Sequence, residues 1–218
     1  MEQLEYFDLY ALSALNRVGK ECFKNDENML TSEFNAKAPL RSIEESAFNG
    51  CVKLNITYLP ATISEIGPSA FSGCDGLHAL NLTSCTALEA IPNSCFAYCD
   101  NLTLVGENLP SGVTAVGANA FLANVSLVMN FVGNNSLKTV GSKAFQRTNN
   151  LTLNNLPAAL EVIEANAFSG STTAQASEQV LRFTKFPSTL KSIGANAFST
   201  RQLENASNQL DLSACKNL

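Results

Sequence analysis

Seven cysteines and a single histidine are the side chains of this 218-residue sequence best suited to nucleophilic or metal chemistry. A zinc site or an activated cysteine needs several such groups within reach of one another. Cys95 and Cys99 have C-x-x-x-C spacing without further ligands nearby, and His78 lies alone in a strand-like segment. The pattern therefore predicts no catalytic residue, no metal site and no cofactor.

Paired carboxylates are the other groups that could do chemistry, by acid–base hydrolysis. Examples are Glu44 with Glu45 and Glu161 with Glu164, but nothing in their surroundings distinguishes them from the other acidic residues. The segment 140–143 reads VGSK and lacks the G-x-x-x-x-G-K spacing of a phosphate-binding loop. We therefore expect the protein not to be an enzyme.

The charge balance excludes two further classes of function. The chain has 14 Lys and Arg against 19 Asp and Glu, which gives a net charge of −5. Nucleic-acid binding requires a basic face, so nucleic acid is not an expected partner. Because no apolar run reaches the roughly 18 residues of a membrane span, membrane insertion is not expected either.

An internal repeat is the strongest signal in the sequence. Ala or Cys followed by Phe recurs at intervals of 23 to 30 residues. Each Phe has a β-branched residue five places upstream and an aliphatic residue eight places upstream, and Gly follows the β-branched residue in five units. The eight Phe residues are Phe23, Phe48, Phe71, Phe96, Phe121, Phe145, Phe168 and Phe198. The unit L-x-x-I-G-x-x-A-F predicts stacked coils with the Phe rings in one buried column.

A second, looser block lies between these units, and its cleanest copy is Leu77 to Leu88. Apolar residues two apart alternate like a strand that faces a core on one side, and stacking such strands about 4.8 Å apart forms a parallel sheet. The β-branched positions can form a second edge of the coil. All seven Cys fall in repeat columns, so we expect them to be reduced and buried as small apolar residues.

The repeat resembles the BspA-like (Treponema-type) leucine-rich repeat, most closely at Ile63 to Leu77 and Leu190 to Phe198. The resemblance implies a right-handed leucine-rich-repeat solenoid with a parallel β-sheet on one face and short 3-10, loop or strand segments on the other. The repeat predicts one domain, 1–218, of about eight units of ~25 residues, and because neither end has an obvious polar capping unit we expect an excerpt of a longer array. The resemblance also implies a cell-surface or secreted adhesion module, which we expect to be monomeric.

The polar positions between the strand apolars are the candidate binding residues. Their side chains point away from the core and would follow the solenoid axis as a nearly neutral row. The ligand-binding candidates are Asn55, Asn81, Thr103, Asn130, Thr152 and Arg182, with Asp8 and Asp211 in the same phase. The expected partner is a protein or glycan on a host or neighbouring cell surface. The alternatives are a solvated face without a ligand, in a structural spacer of a longer surface or virion protein.

The start of the chain and the last repeat interval give two further expectations. The first residues include Glu2, Glu5 and Asp8 and do not form the basic region of a signal peptide. The interval of 30 residues before Phe198 carries extra residues at 171–179, which we expect to form a loop outside the coil.

Overall fold

The structure is a computed structural model that describes residues 5–129, 131, 134–151, 154–170, 180–203, 211, 213 and 215. The chain winds as a coil of short parallel strands joined by turns, with a 3-10 turn at Val105–Glu107. Each strand has two residues. They are β1 Tyr6–Phe7, β2 Arg17–Val18, β3 Leu30–Thr31, β4 Ser42–Ile43, β5 Glu65–Ile66, β6 Ala79–Leu80, β7 Ala90–Ile91, β8 Thr103–Leu104, β9 Ala115–Val116, β10 Thr139–Val140, β11 Val162–Ile163, β12 Val180–Leu181, β13 Ser192–Ile193 and β14 Gln202–Leu203.

The predicted parallel solenoid is confirmed, and its more continuous sheet is built by the β-branched positions. β2, β4 and β5 form one parallel ladder, and β7, β9, β10, β11 and β13 form another. Equivalent residues of successive units pair, as Ile43 does with Ile66 and Val116 with Val140. Among the described residues, the Leu-x-Leu blocks form the separate pairs β1–β3, β6–β8 and β12–β14 and two isolated bridges, Tyr58–Asn81 and Lys185–Asp211. Several of these blocks end in Pro, as at Pro60 and Pro110, and Pro donates no N–H to a ladder.

A proline divides the β-branched sheet between β5 and β7. In other coils the residue after the β-branched position donates its N–H to the preceding coil, as Gly67 does to Ile43 (2.7 Å) and Gly117 to Ile91 (2.8 Å). Pro92 occupies this position after β7 and has no N–H to offer Ile66. The ladder ends there, while hydrogen bonds on the Phe side of the coil continue across the same boundary, as from Phe71 to Cys95 (2.9 Å).

We call the Phe side of the coil the corner ladder. It consists of the five-residue segments centred on each of the eight repeat Phe residues. The residue two places before each Phe has positive φ in all eight units, from 54° to 58°. In the described coils N–H groups at this position, at Phe and two places after Phe donate to the next coil, as Ser94 to Ala118, Phe96 to Ala120 and Tyr98 to Leu122. The intervening N–H groups close i→i−3 turns within their own coil.

The Phe column forms a continuous stack inside the coil, as predicted. Successive rings from Phe23 to Phe198 lie 5.2–5.5 Å apart between centroids, with interplanar angles of 2–14°. The rings from Phe48 to Phe168 have no exposed surface, Phe23 is 8% exposed and Phe198 is half-buried. The ring column is therefore the centre of one core that runs the length of the described coils.

The expected burial of all seven cysteines is wrong at two positions. Cys51, Cys74, Cys85, Cys95 and Cys99 are buried, whereas Cys22 is exposed and Cys215 is half-buried. Cys22 lies in the first coil of the Phe column. None of the seven is in a disulfide. The predicted loop at 171–179 lies outside the described residues.

Candidate functional site

The strand face consists of the outward side chains of the Leu-x-Leu blocks. In one block Leu102 and Leu104 are buried while Thr103 between them is half-buried, and Leu80, Asn81 and Leu82 repeat the pattern. Asn55 and Arg182 are exposed. Asn130 and Thr152 lie outside the described residues. Polar side chains thus point outward in these blocks, whereas Leu30 and Val128 are exposed apolar residues at outward positions of two others.

The strand pairing places these residues in different lateral rows. Thr103 pairs with Ala79, and Asn81 is bridged to Tyr58. Since Leu80 pairs with Leu104, Asn81 lies one residue beyond that pair and Thr103 one residue before it. Because a shift of two residues keeps side chains on the same face of a strand, Asn81 and Thr103 both point outward. They do not, however, lie in one straight row along the solenoid axis.

Three of the candidate positions use their side-chain oxygens to end a strand. Oδ1 of Asp8 accepts from the N–H of Tyr10 (3.1 Å), and Oδ1 of Asn81 accepts from the N–H of Thr83 (2.9 Å). Oδ1 of Asp211 likewise accepts from the N–H of Ser213 at 2.8 Å. This is the geometry of an Asx turn. The Asx residue in each of these blocks thus has a structural role that the sequence pattern alone does not reveal.

Side-chain hydrogen bonds also hold two other groups on this face. The hydroxyl of Ser32 donates to Asp8 (2.6 Å), and this bond is the main cause of the lowered pKa of Asp8. Thr103 donates both its N–H (2.6 Å) and its hydroxyl (3.0 Å) to the carbonyl of His78. These polar groups of the strand face are therefore fixed in place before any partner arrives.

An apolar patch at the first strands of this face is not in the predicted set. Tyr6 and Leu30 are direct register partners and are 57% and 47% exposed. Tyr10, just beyond them, is 61% exposed. Large apolar side chains that adjoin one another on an exposed strand face are typical interaction residues. The signal in the sequence is that Tyr6 and Leu30 fall out of phase with the buried apolar positions.

A family model of the BspA type leucine rich repeat region matches residues 16–152 and 89–216, with six copies. The chain belongs to the BspA-type leucine-rich repeat family. Leucine-rich repeats are interaction scaffolds, and protein–protein binding is their general role. Among curated proteins no match to the sequence is found.

Two solved structures resemble the BspA-type chain. One is a leucine rich cell surface protein from Faecalibacterium prausnitzii A2-165, with 16% identity and a TM-score of 0.41, covering 93% of this chain and 59% of that one. The other is a leucine-rich repeat protein from Bacteroides ovatus ATCC 8483, with 17% identity and a TM-score of 0.38, covering 89% of this chain and 76% of that one. The BspA-type chain thus spans less than two thirds of the first protein.

The buried thiols of this BspA-type repeat have structural partners. Sγ of Cys51, Cys74 and Cys99 each donates to the carbonyl of the Phe in the preceding coil, at 2.9–3.0 Å. Burial raises the pKa of Cys51 and of Cys99 to about 12. A thiol with such a pKa stays protonated and is a poor nucleophile. No group of three or more metal-ligating side chains occurs among the described residues.

The paired carboxylates are engaged in ion pairs and backbone bonds. Glu44 bonds Arg17 (2.8 Å) and the N–H of Lys20 (2.8 Å), and the bond to Arg17 is the largest cause of its lowered pKa. Glu161 pairs with Lys191 at 2.5 Å, which lowers the pKa of Glu161. Each of these carboxylates tethers one coil to its neighbour. In the described part of the BspA-type chain no helix is long and apolar enough to cross a membrane.

Proposed function

We propose that this chain is a non-catalytic interaction and adhesion module that binds a protein on a host or neighbouring cell surface through its strand face. One observation carries the proposal: the strand face combines the exposed apolar pair Tyr6 and Leu30 with polar side chains fixed by the fold. A surface of this kind pairs apolar anchors with ordered hydrogen-bonding groups, which favours specific binding at low entropic cost.

The charges of the face indicate how the partner is held. Asn55 and Thr103 are neutral, and Asp8 already accepts three hydrogen bonds from its own chain. Association should therefore depend little on electrostatic steering, and affinity should change weakly with salt. A surface or secreted location and a monomeric state belong to the same proposal.

Binding of the chain to immobilised collagen, laminin and fibronectin tests the proposal. A variant with Tyr6→Ser, Leu30→Ser and Asn55→Lys should lose at least tenfold in affinity for whichever protein binds. A matched variant with Val52→Ser and Val125→Ser removes two exposed apolar side chains elsewhere and should bind like the parent. Equal affinity of the strand-face variant and the parent would contradict the proposed surface.

A spacer role is the second candidate, and a different observation favours it. Several charged side chains form ion pairs that join successive coils and so stabilise the array. They are Arg17–Glu44, Lys20–Glu45 and Lys191–Glu161. A spacer predicts no binding to any protein of the panel, together with unchanged stability in the strand-face variant.

A further inference from the structure

A shallow groove of about 490 Å³ crosses the corner ladder over four successive coils. Its wall includes Ser94, Tyr98, Asn119, Lys143, Gln146 and Arg147, and no carboxylate lines it. Three coil steps of about 4.8 Å give it a length of ~15 Å along the axis. The groove is on the Phe side of the coil and is separate from the strand face.

Two wall residues occupy backbone positions that favour glycine. Tyr98 has φ 59° and Arg147 has φ 61°, while the equivalent position two residues after Phe is Gly50 (φ 75°) and Gly73 (φ 73°) in two other coils. A residue with a Cβ costs roughly 1–2 kcal/mol in this region. Asn25, Ala123 and Thr200 have the same backbone conformation at the equivalent position of other coils. The corner of the coil therefore imposes it and fixes where both wall side chains leave the backbone.

The space between these two side chains is open because the intervening coil has a small residue there. Ala123 follows Tyr98 and precedes Arg147 in the same column, and its side chain is 7% exposed. The ring of Tyr98, which is 55% exposed, and the guanidinium of Arg147 therefore flank a notch two coil steps wide, or ~10 Å.

The floor of the notch is rigid. The N–H of Tyr98 donates to Leu122 and the N–H of Ala123 donates to Gln146, both at 2.8 Å. Because these backbone groups are already paired, a peptide cannot add to them as an extra strand. The groove therefore has to recognise its ligand by side chains alone, and their fixed spacing lowers the entropic cost of doing so.

The charge of the groove is positive in an otherwise acidic chain. Lys143 and Arg147 form no ion pair with any residue that the structure describes. Asp100 lies near the rim: burial raises its pKa, a nearby Asp75 adds to the rise, and Arg147 opposes it. The cations are thus available to a ligand, with Asp100 as a competing neighbour of Arg147.

We infer that this groove binds an oligosaccharide with an anionic sugar unit, either carboxylated or sulfated. The ring of Tyr98 packs against the face of one sugar, and Lys143 and Arg147 hold its anionic group. Ser94, Asn119 and Gln146 exchange hydrogen bonds with hydroxyls, since hydroxyl and amide groups both donate and accept. The groove is open and polar, which suits a sugar. An anchoring peptide side chain would instead need a deep apolar pocket.

Isothermal titration of the full chain with trigalacturonic acid and with a heparin tetrasaccharide tests the inference and separates the two kinds of anion. Neutral maltotriose and hexaglutamate serve as comparison ligands. We expect one of the anionic saccharides to bind at least tenfold more tightly than both comparison ligands. Equal binding of hexaglutamate, equal binding of maltotriose, or binding of neither anionic saccharide would overturn the inference.

Three variants connect binding to the groove. Tyr98→Gly should lower affinity tenfold or more while leaving the melting temperature equal or higher, because Gly suits the local φ. Lys143→Gln with Arg147→Gln should lower affinity tenfold and remove its salt dependence, whereas Asp100→Asn should tighten binding severalfold. Tyr10→Ala with Lys37→Gln, away from the groove, should bind like the parent. The strand-face variant should also keep saccharide binding, so the two proposals fail separately.

Discussion

Arg201 occupies the position that holds a buried cysteine in three other repeats. Its Nε donates to the carbonyl of Phe168 at 2.8 Å, as Sγ of Cys99 donates to Phe71 at 3.0 Å. The guanidinium continues to the carbonyls of Thr148 and Leu151 in an earlier coil. Burial lowers the pKa of Arg201 to about 10. The sequence could predict the position but not the role, because that role depends on how the guanidinium spans two coils.

The Phe column gives the sharpest prediction for a single side chain. Phe121→Ala should reduce the free energy of unfolding by about 3–5 kcal/mol, since the ring is fully buried between two others and leaves a cavity. Phe198→Ala, at a half-buried ring, should cost less. Urea unfolding monitored by circular dichroism measures both, and equal losses would contradict the ring column as the centre of the core.

The buried thiols predict a loss of stability at high pH. Unfolded cysteine ionises near pH 8.5, whereas burial raises the pKa of Cys51 and Cys99 to about 12. Between these pH values the unfolded chain binds fewer protons than the folded one, so the free energy of unfolding falls as pH rises. The fall is about 1.4 kcal/mol per pH unit for each buried thiol. Below pH 8 the contribution is constant.

Unfolding by urea at several pH values between 8 and 11 checks this dependence. A variant with Cys51→Ala, Cys74→Ala and Cys99→Ala should show a flatter profile than the parent. Cys22→Ala, at an exposed position, should change the slope less. A parent profile that is flat across this range would show that the thiols ionise equally in both states.

At the scale of the coil, the glycine that follows the β-branched residue in five units is explained by the backbone of the preceding coil. A Cβ on Gly67 would lie 2.2 Å from the backbone N of Glu45, and one on Gly141 would lie 2.7 Å from the N of Ala118. A Cβ on Gly19, in the first coil, would meet nothing within 4 Å. None of these three has positive φ, so the requirement comes from close packing of successive coils.

Replacing these glycines separates close approach from chain flexibility. Gly67→Ala should lower the free energy of unfolding by about 1–3 kcal/mol, because backbone of the preceding coil has to move. Gly19→Ala should be neutral or stabilising by up to about 1 kcal/mol, because it only restricts the unfolded chain. Thermal unfolding of the two variants measures the difference; similar losses would mean that the contact with Glu45 is relieved at no cost.

The elements were predictable from the sequence to different degrees. The phase of Ile43, Ile66 and Ile91 predicts strands at those positions because β-branching and period are local properties. Which strands join a continuous sheet depends on the hydrogen bonds between neighbouring coils. The effect of the missing N–H at Pro92 therefore becomes clear only when the carbonyl of Ile66 is known to be its acceptor. The roles of Asn81 and Thr103 in turns and backbone bonds likewise required the register.

The whole array is held together unevenly across the boundary at Pro92. The β-branched sheet is divided there into three and five strands, while the corner ladder and the Tyr58–Asn81 bridge still join the two parts. In a repeat protein, stability is close to a sum of unit and interface terms. The interface between β5 and β7 lacks the hydrogen bonds of the β-branched sheet that join the other described coils, and local opening of the coil should begin there.

Pro92→Ala tests this weak interface. The new N–H should bond to the carbonyl of Ile66 and exchange its hydrogen at least tenfold more slowly than in an unstructured peptide. Global stability should change by less than about 1 kcal/mol, because the hydrogen bond offsets the added freedom of the unfolded chain. Pro68→Ala, outside the sheet ladder, is the control. Unprotected exchange of the new amide in the Pro92→Ala variant, measured by hydrogen-exchange mass spectrometry or NMR, would contradict the assignment.

The corner ladder has an electrostatic consequence along the axis. Its inter-coil N–H groups all donate toward the later coil, as from Glu21 to Glu45 and from Asn166 to Ala195. The aligned peptide groups add up to a macrodipole between coils, with its negative pole at the first coil and its positive pole toward Phe198. Lys20 and Lys24 flank the negative pole. On the sheet side of the coil the N–H groups donate toward the earlier coil instead, as from Gly67 to Ile43 and from Gly117 to Ile91. The two sides therefore carry opposing dipoles, and, unlike a helix, each end of the described array presents both signs.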